Sequence, residues 1–458
     1  MPSEASPNPT LVRIVWQNAK TTVDRDCPNC GAAGRKAPVL AATGDFPGLH
    51  VETTLLRCAA CGCAFFDNLP DLDYGGGGEI PHIAIAFYTQ QAAGISHIVQ
   101  TLARVPGGPG LRYLDIGCGF GFGLDYAVNS RGWQGRGVDP SGMAKAGAVA
   151  LGLPIENRYA GPEDAASEYD VVMASEVLEH IRDPREFAGL LRKLVRPGGS
   201  LVLTTPSAES VHEGAPDSLL IPVLSLGSHL VLQTPKSLEL LLLDAGFPHV
   251  QVLSVGFSLT AYAADTPLDL IDEEKTLRRI YRDYLRQRLV LSDKLGDLWL
   301  GFATRGFQEA HFDRDWAECA RLYAGITEQV RTRFGFDLDD PAALPDFSDA
   351  TAPWQWQQRA PFSLSPLLYF RAHQRMQQGA TPEDVAPLLD AARLIAAQTR
   401  AVLRTMNADD PLMEIIERGP GWGAAAPAIV NSRQIRLKIA IRDRFPGLVR
   451  TIRRLQGR

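Results

Sequence analysis

The sequence predicts an α/β fold: a mostly parallel sheet with helices on both faces, preceded by a small cysteine-bearing module and followed by a helical region. Three observations carry that prediction. An apolar run at 111–116 breaks into the loop Gly117-Cys118-Gly119-Phe120-Gly121, and a helical pattern follows over 122–130. Short apolar runs of strand type then alternate with helical stretches as far as residue 263. Two C-x-x-C pairs stand in front of this series, and from Asp269 onward only helical periodicity is found.

The 458 residues are enough for two or three domains, each with its own core. A formal net charge of −6 argues against bulk nucleic-acid binding, which leaves a basic footprint. The first ten residues are polar and Pro-rich, without the apolar centre of a secretion signal. The apolar run 219–232 is short and interrupted by Pro222, Gly227 and His229, so it does not read as a membrane span. Seven cysteines, four of them in paired motifs, point to a reducing compartment. The expectation is a cytoplasmic protein.

Residues 1–19 read as disordered or extended, and 20–72 as a zinc module. Cys27-Pro-Asn-Cys30-Gly31 and Cys58-Ala-Ala-Cys61-Gly62 each let two thiolates grip one ion, with a glycine for the tight turn. Four sulfurs suit tetrahedral Zn²⁺, and a closed site of that kind holds structure rather than activating water. The 27 intervening residues leave room for a hairpin, and Cys63 would overfill the site. A Gly-rich flexible link, Asp73 to Gly78, leads into the next domain.

The domain expected over 80–264 begins with one helix near 83–104. Its central strand ends in the glycine loop, where missing β-carbons admit a ligand and helix-start N–H groups favour an anion. The dinucleotide pattern Gly-x-Gly-x-x-Gly fails in either frame, at Phe122 or at Leu124. What stands is Asp115-x-Gly117-x-Gly119-x-Gly121. A second strand, 133–138, ends at Asp139, 18 residues after Gly121, where a carboxylate can accept two ribose hydroxyls. A short strand at 153–155 precedes Glu163-Asp164. A fourth, 169–174, runs into Ser175-Glu176-Val177-Leu178-Glu179-His180, then a helix at 185–195, Arg196-Pro197-Gly198-Gly199 and a fifth strand, 200–205. A helix at 235–244 and strands at 250–255 and 258–263 complete the series.

These motifs, in this order, resemble those of the Rossmann-like class I methyltransferases that use S-adenosylmethionine. The resemblance implies that Asp115, Gly117, Cys118, Gly119, Gly121 and Asp139 bind the cofactor, that Glu163 or Asp164 lies near the adenine amine, and that Glu176 lies near the cofactor. Methyl transfer to a hydroxyl needs in-line placement and a base. Glu176, Glu179 and His180 form an E-x-x-E-H cluster at the carboxyl end of the fourth strand, and His229 precedes the helix at 235. Small-RNA 2′-O-methyltransferases and ubiquinone-pathway O-methyltransferases are similar here and imply a divalent metal on Glu176, Glu179, His180 and His229. The other reading leaves the cluster metal-free and makes His229 the base.

Zinc module plus methyltransferase domain also resembles bacterial sugar and polysaccharide-biosynthesis enzymes. This makes O-methylation of a nucleotide-sugar or glycan the first expectation. Sugar C-methylation, O-methylation of a phenolic or quinone-like metabolite, and a cofactor-binding scaffold without chemistry are the alternatives. The helical region over 265–430 places Leu277, Ile280, Tyr284, Leu285 and Leu289 on one helix. Phe312, Trp316, Cys319, Tyr323, Ile326 and Val330 fall on another. It could cover the acceptor site or form a homodimer interface. The tail, 431–458, carries nine Lys or Arg against one acid from Arg433 on, interleaved with apolar residues. Such a segment suits either an anionic membrane surface or a solvated terminal helix.

Overall fold

The computed structural model describes residues 12–17, 21–46, 49–69, 74, 82–92, 94–166, 169–350, 352–404 and 409–419. Residues 73 and 75–78 of the Gly-rich link and the basic tail lie outside the described residues. The chain forms two compact units. One comprises the described residues up to Gln287 together with 401–410, and the other runs from Arg288 to Arg400 and continues from Pro411.

The first unit holds two sheets. Strands β1 (Val12–Trp16), β2 (Val23–Asp24), β3 (Arg35–Phe46), β4 (Leu49–Arg57) and β5 (Ala64–Phe66) make an antiparallel sheet. The 27 residues between the cysteine pairs are spent on the long β3–β4 hairpin, whose alternation at 51–57 was visible in the sequence. The second sheet contains β6 (Arg112–Ile116), β7 (Gln134–Val138), β8 (Ile155–Glu156), β9 (Tyr169–Ser175) and β10 (Val195–Pro206). After β11 (Val231–Leu232), which belongs to the first sheet, come β12 (His249–Val255) and β13 (Ser258–Ala264). The second sheet has the order β12-β13-β10-β9-β6-β7-β8, with β13 antiparallel to its neighbours and the five from β10 to β8 parallel. The chain reverses its direction of travel across the sheet between β6 and β9, so a crevice opens at their carboxyl ends.

Leu114, Val172, Leu201 and Leu203 on these strands are completely buried against Leu191, Leu238 and Leu242 of the covering helices. The helix Pro235–Asp244 starts where the sequence placed it, with Pro235 at its first turn and a reciprocal cap between Thr234 and Ser237.

Several boundaries differ from expectation. The single helix at 83–104 is two, His82–Gln91 and Ile95–Ala103, because Ala92 and Gly94 turn left-handed (φ 44° and 72°) between them. The strand expected at 153–155 is Ile155–Glu156. Phe312 ends the helix Asp297–Asp313 rather than opening the next, since Arg314 is left-handed and Asp315 caps Trp316–Phe334 through Glu318 N. The boundary expected at 264/265 falls at 287/288, inside the helix Glu274–Leu291. Its first part is tied to the first unit: Tyr284 Oη donates to Asp125 Oδ2 at 2.7 Å and Gln287 Nε2 to Asn129 O at 2.9 Å.

The largest correction concerns the cysteine module. It is not a separate layer, because β11, from the far side of the chain, pairs with β5. Leu40, Leu55 and Leu56 of the module share one apolar core with Val223, Leu224 and Leu232. No helix among the described residues is long and apolar enough to cross a membrane.

Candidate active site

The glycine loop leaves β6 with three left-handed glycines: Gly117 (φ 65°), Gly119 (φ 53°) and Gly121 (φ 92°). Only glycine adopts this backbone readily. A β-carbon on Gly117 would lie 2.4 Å from Val177 Cγ2, so the loop also needs glycine to pass the segment after β9. At Gly119 nothing lies within 4 Å of that position, which leaves room for a ligand. Asp139, at the tip of β7, accepts from Gly119 N through Oδ2 (2.8 Å) and from Ser141 N through Oδ1 (2.7 Å). Its carboxylate is thus aimed at the loop with lone pairs to spare. Asp115 is buried beneath the loop, and burial lifts its carboxyl to about 7, aided by Asp139 and opposed by the Tyr113 hydroxyl. The Cys118 side chain packs on Gly137, where a β-carbon would lie 2.7 Å from Sγ. The cradle therefore fits the adenosyl cofactor that the motif implies.

Of the two acids after β8, Asp164 is corrected. It is 1% exposed, and its four acceptor sites are taken by Arg136, by two nitrogens of Arg158 and by Gly161 N, at 2.6–2.9 Å. Arg158 holds its carboxyl down at about 2. Nothing remains for an adenine amine. Glu163 is the exposed neighbour; among the described residues Arg158 pairs with it at 3.4 Å.

Beyond β9, Glu176 is left-handed (φ 55°), an unusual conformation for a side chain of its size. Its amide donates to Thr204 O (2.9 Å) and its Oε1 accepts from Thr204 Oγ1 (2.8 Å). Glu176 is exposed to solvent. Glu179 is 0% exposed. Thr205 Oγ1 donates to its Oε2 at 3.0 Å, while Oε1 is buried without a hydrogen-bond partner.

Facing that orphaned oxygen are His180 Nε2 and His229 Nε2, each at 3.9 Å. Both rings are set by backbone carbonyls: His180 Nδ1 donates to Ser228 O (2.9 Å) and His229 Nδ1 to Val223 O (2.8 Å). A carbonyl only accepts, so Nδ1 carries the proton and the Nε2 lone pair points inward. Burial keeps both rings neutral, with His229 down at about 3. Burial, then Glu176, pushes the Glu179 carboxyl well up. A carboxyl oxygen that gives up its proton to a cation and two imidazole lone pairs, all within 4.8 Å of one another, are a donor set for a divalent ion. Glu176, expected as a fourth ligand, is not in this group, because Thr204 holds it aside.

Cys27, Cys30, Cys58 and Cys61 converge as expected, with Sγ pairs at 3.7 Å (Cys27–Cys61) and 3.8 Å (Cys30–Cys58). Tetrahedral zinc with bonds of about 2.3 Å spaces its sulfurs by about 3.8 Å, so the donor set fits. Gly31 N and Gly62 N close the two knuckles on Cys27 O and Cys58 O. Cys63 is buried beside them, 3.4 Å from Cys27 Sγ, and its neighbours Cys27 and Cys61 keep it a protonated thiol.

Two tyrosines stand where the sequence did not place them at the site: Tyr74 falls within the expected flexible link, and Tyr88 is not singled out. Tyr74 lies edge-on to His180, with its hydroxyl 2.8 Å from Nδ1. Tyr88 stacks on Phe122 (5.6 Å) within electrostatic reach of Asp115, Cys118 and Asp139. Neither had a spacing signal; only the position of Tyr88 just ahead of the glycine strand could have suggested it.

Residues 87–252 match the family model described as a methyltransferase domain. Over 103 residues the chain is 40% identical to the ubiquinone biosynthesis O-methyltransferase of Rhizobium etli (strain CIAT 652), which covers 21% of this chain and 41% of that protein. A relative of the same name from Aeromonas salmonicida is 38% identical over 104 residues, covering 21% and 43%. The chain thus spans about two fifths of the length of these curated relatives. Among solved structures, an O-methyltransferase family protein from Burkholderia thailandensis aligns at 22% identity and TM-score 0.32, over 39% of this chain and 57% of that one. Human N-acetylserotonin methyltransferase in complex with SAM aligns at 16% and 0.31, over 40% and 55%. The match over residues 87–252 marks a methyltransferase domain within the chain.

Proposed function

We propose that the chain moves the methyl group of S-adenosylmethionine to a hydroxyl oxygen of a phenolic or quinone-like small molecule, assisted by a divalent ion on Glu179, His180 and His229. The observation that carries this reading is the buried, unpartnered Glu179 Oε1 facing two imidazole nitrogens at 3.9 Å. Leaving such an oxygen unmatched costs about 1–3 kcal/mol, a cost that a cation removes. An aromatic acceptor is favoured over the glycan first expected on two grounds. The matched relatives are named for O-methylation in ubiquinone biosynthesis. Tyr74 sets an exposed aromatic ring edge-on to His180, 5.3 Å between ring centroids.

In this reading Gly117, Gly119 and Gly121 admit the cofactor, Asp139 receives its ribose and Glu163 serves the adenine edge. Glu176 borders the sulfonium end. When bound, the cofactor supplies an electrophilic methyl and the ion supplies the Lewis acidity that eases loss of the acceptor proton. Glu179, His180 and His229 would hold the ion, and Tyr74, with its hydroxyl 2.8 Å from Nδ1, keeps His180 oriented. The four cysteines hold structural zinc. The C-terminal unit has no assigned role.

The test is transfer of labelled methyl from S-adenosylmethionine to catechols and to nucleotide-sugars, with Mg²⁺ or Mn²⁺ present or chelated. The reading expects an O-methylated phenol and a rate at least about tenfold higher with the ion. Methylation of the sugars alone would overturn the acceptor. Cofactor binding without transfer to any acceptor would favour the scaffold alternative.

A further inference from the structure

The cysteine knuckles leave Gly31, Ala59 and Ala60 exposed but bury Asn29. The first places Asn29, between Cys27 and Cys30, against the segment that follows His229. Asn29 is 2% exposed; its Nδ2 donates to Ser237 O (3.1 Å) and its Oδ1 accepts from Gln233 Nε2 (2.9 Å). Gln233 Oε1 in turn accepts from Ser237 Oγ (2.7 Å), so three buried polar side chains close a ring across 204 positions of sequence. The second knuckle presses on the same place, because a β-carbon on Gly62 would lie 3.2 Å from Thr234 Oγ1. Between Gln233 and His229 the chain is clamped again. β11 pairs with β5, Phe66 N donates to Leu230 O (3.0 Å), and Leu230 N donates to Glu179 O (2.6 Å). Every residue from Leu230 to Thr234 is buried.

We infer that the zinc knuckle is a positioning element for the acceptor side: through Asn29 and Gln233 it fixes the 229–234 segment and so holds His229 toward Glu179 and His180. Asn29 and Gln233 are positioning residues. The physical reason is that a two-residue strand cannot hold its place alone; its geometry must come from the partners that satisfy its polar groups. The inference deepens the reading above, but what it says of the segment's order does not require methyl transfer.

The test compares full-length wild type, Asn29→Ala and Gln233→Ala, each with zinc content measured, by amide hydrogen exchange and cofactor titration. The zinc ligands stay intact in both variants. Exchange across 229–234 is expected to rise about tenfold in either, while β6 and β7 and the S-adenosylmethionine Kd stay within about twofold. The double variant should exchange no faster than the singles, because one ring is broken in each case. Where turnover is measurable, kcat should fall with the cofactor KM unchanged, a split that general destabilisation would not produce. Zinc removed by a chelator should expose the same peptide first. Unchanged exchange at 229–234 in both zinc-loaded variants would overturn the inference, as would an equal rise in β6 and β7. If exchange responds as expected but no acceptor is ever methylated, the functional reading fails and this one stands.

Discussion

The two halves of the crevice are built in different ways. The cofactor half is one continuous run, with Asp115, the three glycines and Asp139 all inside 25 residues and held by the ends of β6 and β7. The acceptor half is assembled from distant pieces. Glu179 and His180 follow β9, His229 comes from the segment closed by β11, and Tyr74 comes from beyond the cysteine module. A site made by one strand–loop–helix unit inherits its geometry from local backbone preferences. A site made from several segments depends on whatever clamps them together, here the knuckles and their shared core.

That contrast can be broken by substitution, beginning with the largest effect. His229→Ala should lower kcat about a thousandfold, since it deletes one donor of the proposed cation site, and leave the S-adenosylmethionine Kd within about twofold. A matching loss of cofactor affinity would mean that the halves are not separate. Leu232→Ala, at a completely buried position in the core shared with the module, should cost about 3 kcal/mol. Chemical denaturation should show one cooperative transition for module and sheet rather than an early melting of the module.

Gly117→Ala acts on the other half. The left-handed backbone and the contact 2.4 Å from Val177 should weaken the cofactor about a hundredfold, with no change in metal content at the cysteines. The smallest effect lies in Asp164. Its folded value, about 2, is below its ordinary value of about 4, so its stabilisation is full above pH 4 and fades as pH falls toward 2. Asp164→Asn should flatten that acid limb by about 2 kcal/mol and leave stability at pH 7 lower than wild type by a similar amount.

The same contrast explains what could be read from the sequence. The glycine loop, Asp139, the E-x-x-E-H string and the cysteine pairs are short-range patterns; the structure brings the four cysteines together, and Glu179 with His180 and His229, while Glu176 stands apart. Glu163 and Asp164 were indistinguishable because the arginines that consume Asp164 come partly from β7, 28 positions away. The helix at 83–104 hid its break because a single Gly94 inside an apolar period is weak punctuation. The union of module and acceptor segment could not be read at all. It rests on Asn29 meeting Gln233 and on a two-residue strand, neither of which leaves a periodic trace.

The most direct test of a cation-binding acceptor side distinct from the zinc knuckle is calorimetric titration of Mn²⁺ into the zinc-loaded, full-length chain with S-adenosylmethionine present. One Mn²⁺ per chain, lost in His229→Ala and in Glu179→Ala with zinc content and cofactor affinity unchanged, is the predicted result. No Mn²⁺ binding, or binding that survives both substitutions, would contradict it.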